Sequence, residues 1–319
     1  MDRRRFLTLG SLAVLPFVGA CGENGPLRVS YHPWIGYETL YLAQEFDWLP
    51  PQATLTRRES ASDSLSALRE LRADAAALTL DEVIRAREGG LDLAVVLVFD
   101  VSAGADVLLA REGIDYIGDL KGQRVGVESS AVGAMLLDRF LEAAELTRAD
   151  VTLVDLPPNR QLSAWEAGRI DAVVTYEPLA SRIEAAGGAR LIDSRAFPDT
   201  VFDVLAVRRD RLDNCRGTVR ELIAAHFRAL DHLRLNRQDA IYRIGHVQRL
   251  RPESVRRALG GILLPDRAAN ERYLSNDSGL VAAARELHER LYPDHAPKDT
   301  VNETLHSDEC LPPERPSGI

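Results

Sequence analysis

From residue 27 onward, short apolar runs suited to strands alternate with stretches whose apolar residues recur every three or four positions, as on one helix face. Residues 27–30 predict a strand and 38–47 a helix, followed by a strand at 53–57. A helix over 63–72 is marked by Leu65, Leu68 and Leu71, and a strand is expected at 75–80. The helix over 81–88 is closed by Gly89-Gly90. Residues 93–99 are almost continuously apolar, as in a strand buried on both faces. A second set begins near Leu120: strands at 124–127, 151–154 and 172–176, helices at 134–144 and 162–167, and a helix ending at Ala186. A strand at 202–207 leads out, and helices at 219–233 and 280–291 follow. Strands alternating with helices imply parallel sheets with right-handed crossovers. The tail after Pro293 carries Pro297, Pro312, Pro313 and Pro316 and is expected to lie extended over the surface.

The start of the chain has a different grammar. Arg3-Arg4-Arg5 precedes an apolar stretch at 12–18 and then small residues up to Cys21, the order of a secretory signal. Arg3-Arg4-Arg5-Phe6-Leu7 resembles the twin-arginine export pattern, and Val18-Gly19-Ala20-Cys21 resembles a bacterial lipobox. The resemblance implies that residues 1–20 are removed, that Cys21 is lipidated, and that acyl chains hold the protein to a bacterial membrane on the periplasmic side. In that compartment thiols tend to oxidise. Cys215 and Cys310 are the cysteines left in the body, either bridged or too far apart to bridge.

Length and charge narrow the class. A chain of 319 residues suits about two domains. A net charge of -9 disfavours nucleic-acid binding, which needs clustered Lys and Arg. With 3 cysteines there is no disulfide scaffold or Cys-based zinc module, and the 7 histidines lack metal-ligand spacing. The sequence carries no P-loop, no dinucleotide-binding glycine motif, no zincin helix and no nucleophile elbow. No cofactor, metal or catalytic group is implied.

Three segments carry a resemblance. They are Pro33-Trp34-Ile35-Gly36-Tyr37 with the following Leu40-Tyr41-Leu42-Ala43, then residues 119–127 (DLKGQRVGV), then residues 168–178 (GRIDAVVTYEP). In this order and spacing they resemble the extracytoplasmic substrate-binding proteins of ABC importers, the group of nitrate, taurine, alkanesulfonate and thiamine-precursor binders. That resemblance implies an α/β, two-lobe periplasmic-binding-protein fold (type II), with a ligand cleft between lobes joined by two crossover hinges. Residues 27–110 with 210–319 would build lobe one and 115–205 lobe two, with hinges near 101–107 and 202–207. The implied function is capture of a small molecule by hinge closure, by a monomer that delivers it to an ABC permease and ATPase. A sensor-kinase partner, and an enzyme resembling the pyrimidine-forming synthase of thiamine biosynthesis, are the alternatives.

Ligands of open α/β sheets bind outside the carboxyl ends of strands. The candidates there are His32, Trp34 and Tyr37 after the first strand, Ser60 and Ser62 after the second, and Thr79 and Asp81 after the third. Ser60, Ser62 and Thr79 have helix capping as their other reading. In the second lobe they are Glu128, Ser129, Ser130, Tyr176 and Glu177, and at the crossovers Asp100, Ser102, Asp106 and Asp203. Residues 128–133 resemble the helix start where family members bind oxyanions, but Glu128 departs from such a site. Acids dominate these loops, with Arg160 the nearest base, so the expected ligand is a cationic or zwitterionic amine or a neutral heterocycle, with a sulfonate- or nitrate-type oxyanion as the alternative.

Overall fold

The computed structural model describes residues 23–129, 132–295, 301 and 304–313. Its strands are β1 (Leu27–Tyr31), β2 (Ala53–Arg57), β3 (Ala75–Thr79), β4 (Leu93–Ser102), β5 (Asp106–Ala110) and β6 (Arg124–Val127). They continue with β7 (Thr152–Asp155), β8 (Ala172–Tyr176), β9 (Ala189–Asp193), β10 (Phe202–Arg208) and β11 (Ile262–Leu263). Two sheets result, ordered β11-β4-β10-β3-β1-β2 and β7-β6-β8-β5-β9. The first lobe carries helices α1 (Glu38–Glu45), α2 (Ala61–Arg69) and α3 (Leu80–Glu88). The second carries α4 (Val132–Glu142), α5 (Pro158–Glu166) and α6 (Leu179–Ala185). Helices α7 (Arg209–Leu235), α8 (Arg237–Gln248), α9 (Pro252–Leu259), α10 (Arg267–Tyr273) and α11 (Gly279–Leu291) return to the first lobe. This is a two-lobe α/β architecture.

The sheets are mixed rather than parallel throughout. β2, β1 and β3 run parallel, as do β7, β6 and β8. β10 lies antiparallel between β3 and β4, and β5 antiparallel between β8 and β9. The cause is the crossing of the chain. β5 and β10 enter their sheets from the cleft side, so they run away from the cleft while the parallel strands run toward it. Their first residues therefore face the same space as the carboxyl ends of the other strands. The return crossing is residues 194–201, ahead of the expected 202–207, which instead form most of the buried central strand β10.

The crossings are tied together at one seam. The Ser102 and Ser194 hydroxyls hydrogen-bond at 2.8 Å, and the Gly104 N–H donates to Ser194 Oγ at 2.7 Å. Gly104 has φ +119°, a conformation that L side chains rarely adopt.

At the ends of the parallel strands remote from the cleft, each lobe is pinned by an arginine–aspartate clasp. In the first lobe the Arg28 side chain donates to both Asp74 oxygens at 2.9 and 2.8 Å, and its backbone N–H donates at 3.0 Å. In the second, Arg124 does the same to Asp171 at 2.8, 2.7 and 2.9 Å. Between these ends lies the apolar core, with every residue of β3, β4, β5, β8 and β10 buried.

The tail is not laid loosely over the surface. Leu305 and Cys310 are fully buried, and His306 bridges Val95 of β4 in parallel register. Burial of apolar side chains draws this proline-bearing segment down onto the first sheet. Cys215 and Cys310 are buried free thiols, and Cys215 Sγ donates to the Arg211 carbonyl at 3.1 Å. Cys21 lies outside the described residues.

Candidate functional site

The site begins with the chain leaving β1. Trp34 turns inward and its indole N–H donates to Asp100 Oδ2 at 3.0 Å. The bond passes over Gly36, where a Cβ would stand 1.7 Å from that oxygen, so only glycine fits. Behind them Tyr37 donates to Asp203 Oδ1 at 2.5 Å and packs edge-on to His32 and Phe99. Sheet register sets Asp203, the second residue of β10, opposite both Thr79 and Asp100. From the second lobe, Asp106 starts β5 opposite Tyr176, the last residue of β8.

The lobes close on one another at this place. Ser62 of α2 donates to Glu128 Oε1 at 2.7 Å across the cleft. The Tyr176 ring meets Trp34 edge-on at 5.6 Å and His32 at 6.3 Å. Between the lobes remains a cavity of about 10 Å³, lined by His32, Trp34, Thr79, Glu82, Asp106, Glu128, Tyr176 and Asp203, with Ala61 and Val132 as its apolar wall. That is the room of about one water molecule. A second space of about 10 Å³ shares Asp106, Glu128 and Tyr176 and runs to Gln161 and Thr175.

The charge of this cavity is one-sided. Glu82, Asp106, Glu128 and Asp203 are all buried, and among the described residues none forms a salt bridge. Each has an oxygen without a hydrogen-bond partner: Glu82 Oε1, Asp106 Oδ2, Glu128 Oε2 and Asp203 Oδ2. Burial, reinforced by neighbouring acids, pushes the Glu82 and Asp203 carboxyls well above their ordinary range. Burial pushes Asp106 up to about 7 and raises Glu128. His32 supplies no compensating charge, because burial lowers its imidazole to about 3 and keeps it neutral. Four acids aimed at one space, with no base among them, form an acceptor-rich socket for a cation or a multiple hydrogen-bond donor.

Several expected site residues do not line this cavity. Tyr37 and Asp100 stand one layer behind the cavity, holding Asp203 and Trp34. Asp81 accepts the Thr79 hydroxyl at 2.7 Å and faces Arg85 at 3.5 Å, so it supports the start of α3. Ser60 caps α2 by accepting from the Asp63 N–H at 3.2 Å. Ser102 belongs to the seam between the crossings. Glu177 accepts from the Ser181 N–H and hydroxyl, both at 3.1 Å, and lies 3.7 Å from Arg190, turned from the cavity. Ser129 is exposed and its N–H donates to Asp155. Ser130 lies outside the described residues. Glu128, which opens the stretch resembling an oxyanion-binding helix start, lines the cavity.

Glu82 went unread. Its spacing from Thr79 fits a capping box, and that box forms, with the Thr79 N–H donating to Glu82 Oε2 at 2.9 Å. Its other oxygen faces the cavity. Arg57, Arg182 and Gln248, at the outer edge of the cleft, also went unread. Among the described residues, no group of three or more His, Cys, Asp or Glu is arranged to hold a metal ion.

The geometry can be set beside known proteins. The profile of the NMT1-like family matches residues 21–244. A binding protein of Brucella abortus is 32% identical over 111 residues, 34% of this chain and 35% of the relative. A relative from Escherichia coli, named as an aliphatic sulfonates-binding protein, matches to the same extent. The matched stretch thus spans about a third of the length of these curated relatives. Among solved structures, the alkanesulfonate-binding protein SsuA of Xanthomonas axonopodis pv. citri, bound to MOPS, superposes with a TM-score of 0.71 at 21% identity. That superposition covers 85% of this chain and 94% of the other. With the family profile spanning well over half of its length, this chain belongs to the NMT1-like family.

Proposed function

We propose that this protein is the extracytoplasmic solute-binding component of an ABC importer, and that it captures a small molecule bearing a cationic amine or protonated nitrogen heterocycle. The observation that carries the ligand class is the set of four buried, unpaired acids around one inter-lobe cavity. A carboxylate removed from water needs a partner, and a cation entering this space would meet acceptors from both lobes. The Trp34 and Tyr176 rings would face the same cation. Once these acids are ionised, a sulfonate or nitrate would meet like charge, which costs several kcal/mol at a closed interface. Capture is closure about the seam at Ser102, Gly104 and Ser194, which brings Asp106, Glu128 and Tyr176 onto the first lobe.

The binding-protein relatives and the two-lobe fold support transport as the setting, with a permease and ATPase as partners. Attachment through a lipid on Cys21 is part of the proposal and rests on the lipobox-like residues 18–21. Mass spectrometry of the protein from its membrane should find residue 21 as an acylated first residue; an unmodified Cys21 contradicts it.

A thermal-shift panel on the purified full chain tests the ligand class. Amines, amino acids, pyrimidines, alkanesulfonates, taurine and nitrate make up the panel. A ligand present at about 100 times its dissociation constant adds roughly 2.7 kcal/mol to stability. The expected result is a raised melting temperature with amine-bearing compounds. A shift confined to alkanesulfonates or nitrate overturns the cation reading.

A further inference from the structure

A second inter-lobe cavity lies beside the first. It has a volume of about 180 Å³ and is lined by Pro33, Arg57, Tyr176, Arg182 and Gln248, with Glu59 and Asn159 at its rim. Tyr176 is a wall of both spaces, and Pro33 stands between His32 and Trp34 of the first. Its charge is of the opposite sense. Arg57 ends β2 of the first lobe and Arg182 lies on α6 of the second, so closure brings the two guanidinium groups together from opposite sides.

Both arginines use Gln248 as an acceptor: Arg57 Nη2 donates to its Oε1 at 3.2 Å, and Arg182 donates to its carbonyl oxygen. Among the described residues, neither forms a salt bridge with a carboxylate. The nearby acids are otherwise engaged. Glu59 is exposed and accepts from Asn159, and Glu38 is buried against the Gln248 amide, with burial lifting its carboxyl to about 7. Burial and the charges of Arg57 and Arg249 together hold the Arg182 guanidinium below its ordinary value.

We infer that the ligand is bipolar, with its cationic head in the acidic inner cavity and an anionic end, carboxylate or sulfonate, reaching past Tyr176 to Arg57 and Arg182. This rests on the reading of the inner cavity as a cation socket. The inner space admits a head group of about one heavy centre, whereas the outer one has room for a tail of several. Guanidinium groups suit the paired oxygens that a carboxylate or a sulfonate presents.

The test is calorimetric titration of the full chain with three probe series of two to five carbons: alkylamines, ω-amino acids and α,ω-diamines. The expected result is that at one chain length the amino acid binds about tenfold or more tightly than the amine or diamine of that length. Arg57→Gln, at an exposed position, and Arg182→Gln should each reduce that preference, and the double variant should abolish it while leaving alkylamine affinity unchanged. Equal or tighter binding of the alkylamine or diamine, or a preference that survives in the double variant, overturns the bipolar inference and leaves the cation reading standing. Failure of every amine to bind overturns both.

Discussion

At the ends of β1 and β6 remote from the cleft, Asp74 and Asp171 each receive three donors from a single arginine. At the cleft ends of the same sheets, Glu82, Asp106, Glu128 and Asp203 are as buried as Asp74 and receive no arginine. Hydrogen bonds and ion pairing with arginine lower the carboxyls of the first group, against the burial of Asp74, whereas burial raises those of the second. The contrast separates two uses of one residue type. A paired acid joins neighbouring strands. A buried acid left unpaired is held at a cost by the rest of the fold, and a ligand that completes it recovers that cost. Within the cleft, Asp81 and Glu177 have arginines beside them and stand outside the cavity, while Asp100, buried without an arginine, accepts from the Trp34 indole behind it.

The contrast is broken most directly by neutralising the unpaired acids. Asp203→Asn and Asp106→Asn should each weaken an amine ligand by about 30-fold or more, the effect of removing one partner of a buried charge pair. Each should also raise the melting temperature of the unliganded protein at pH high enough to ionise the wild-type carboxyl, since a buried charge is then removed; calorimetry and thermal melts read the two effects. The clasps should behave oppositely. Asp74→Ala should lower stability by about 2 kcal/mol in denaturant titration and leave ligand affinity unchanged. Asp171→Ala should cost less, because its side chain is 19% exposed against 2% for Asp74, which also has Arg211 at 3.3 Å.

A pH series sharpens the same comparison. Carboxyls raised in the folded protein stabilise it at pH below their unfolded values, and that stability is lost as pH rises through the folded value, about 7 for Asp106. The unliganded melting temperature should therefore fall between pH 5 and 8, while amine affinity rises as protons leave the cavity. Buried His32 and His226, held near 3, oppose this trend below their ordinary value of 6.5. The informative quantity is thus the difference between the wild type and Asp106→Asn. The smallest expected effect is that of Ser62→Ala, which removes the 2.7 Å bond to Glu128 and should weaken binding by a few-fold in the same titration.

Much of this arrangement is legible in the residues. The strands at 53–57, 124–127 and 172–176 stand where alternation puts them, because their apolar runs are bounded by turn residues. β5 and β9 escape the same reading. β5 begins at a buried aspartate directly after the crossing, and β9 is a partly exposed edge without a clear period. Antiparallel entry is not written in local periodicity either; it follows from where the chain crosses between lobes. For the site, the loop after β1 and the acids at both crossings could be named, since strand ends face the cleft. Glu82 stands three residues after Thr79, the spacing of the capping box it forms, so its second role is invisible without the fold. Arg160 follows a strand of the second lobe and is the base nearest the candidate loops in sequence, whereas Arg57 and Arg182 come together only when the lobes do.

The most direct measurement is a pair of calorimetric titrations of the purified full chain at pH 8, one with an alkylamine series and one with alkanesulfonates of the same carbon skeletons. If the unpaired acids are a cation socket, at least one amine should bind tenfold or more tightly than its sulfonate counterpart, and Asp203→Asn should remove the difference. Tighter binding of the sulfonates, unaffected by Asp203→Asn, would contradict it.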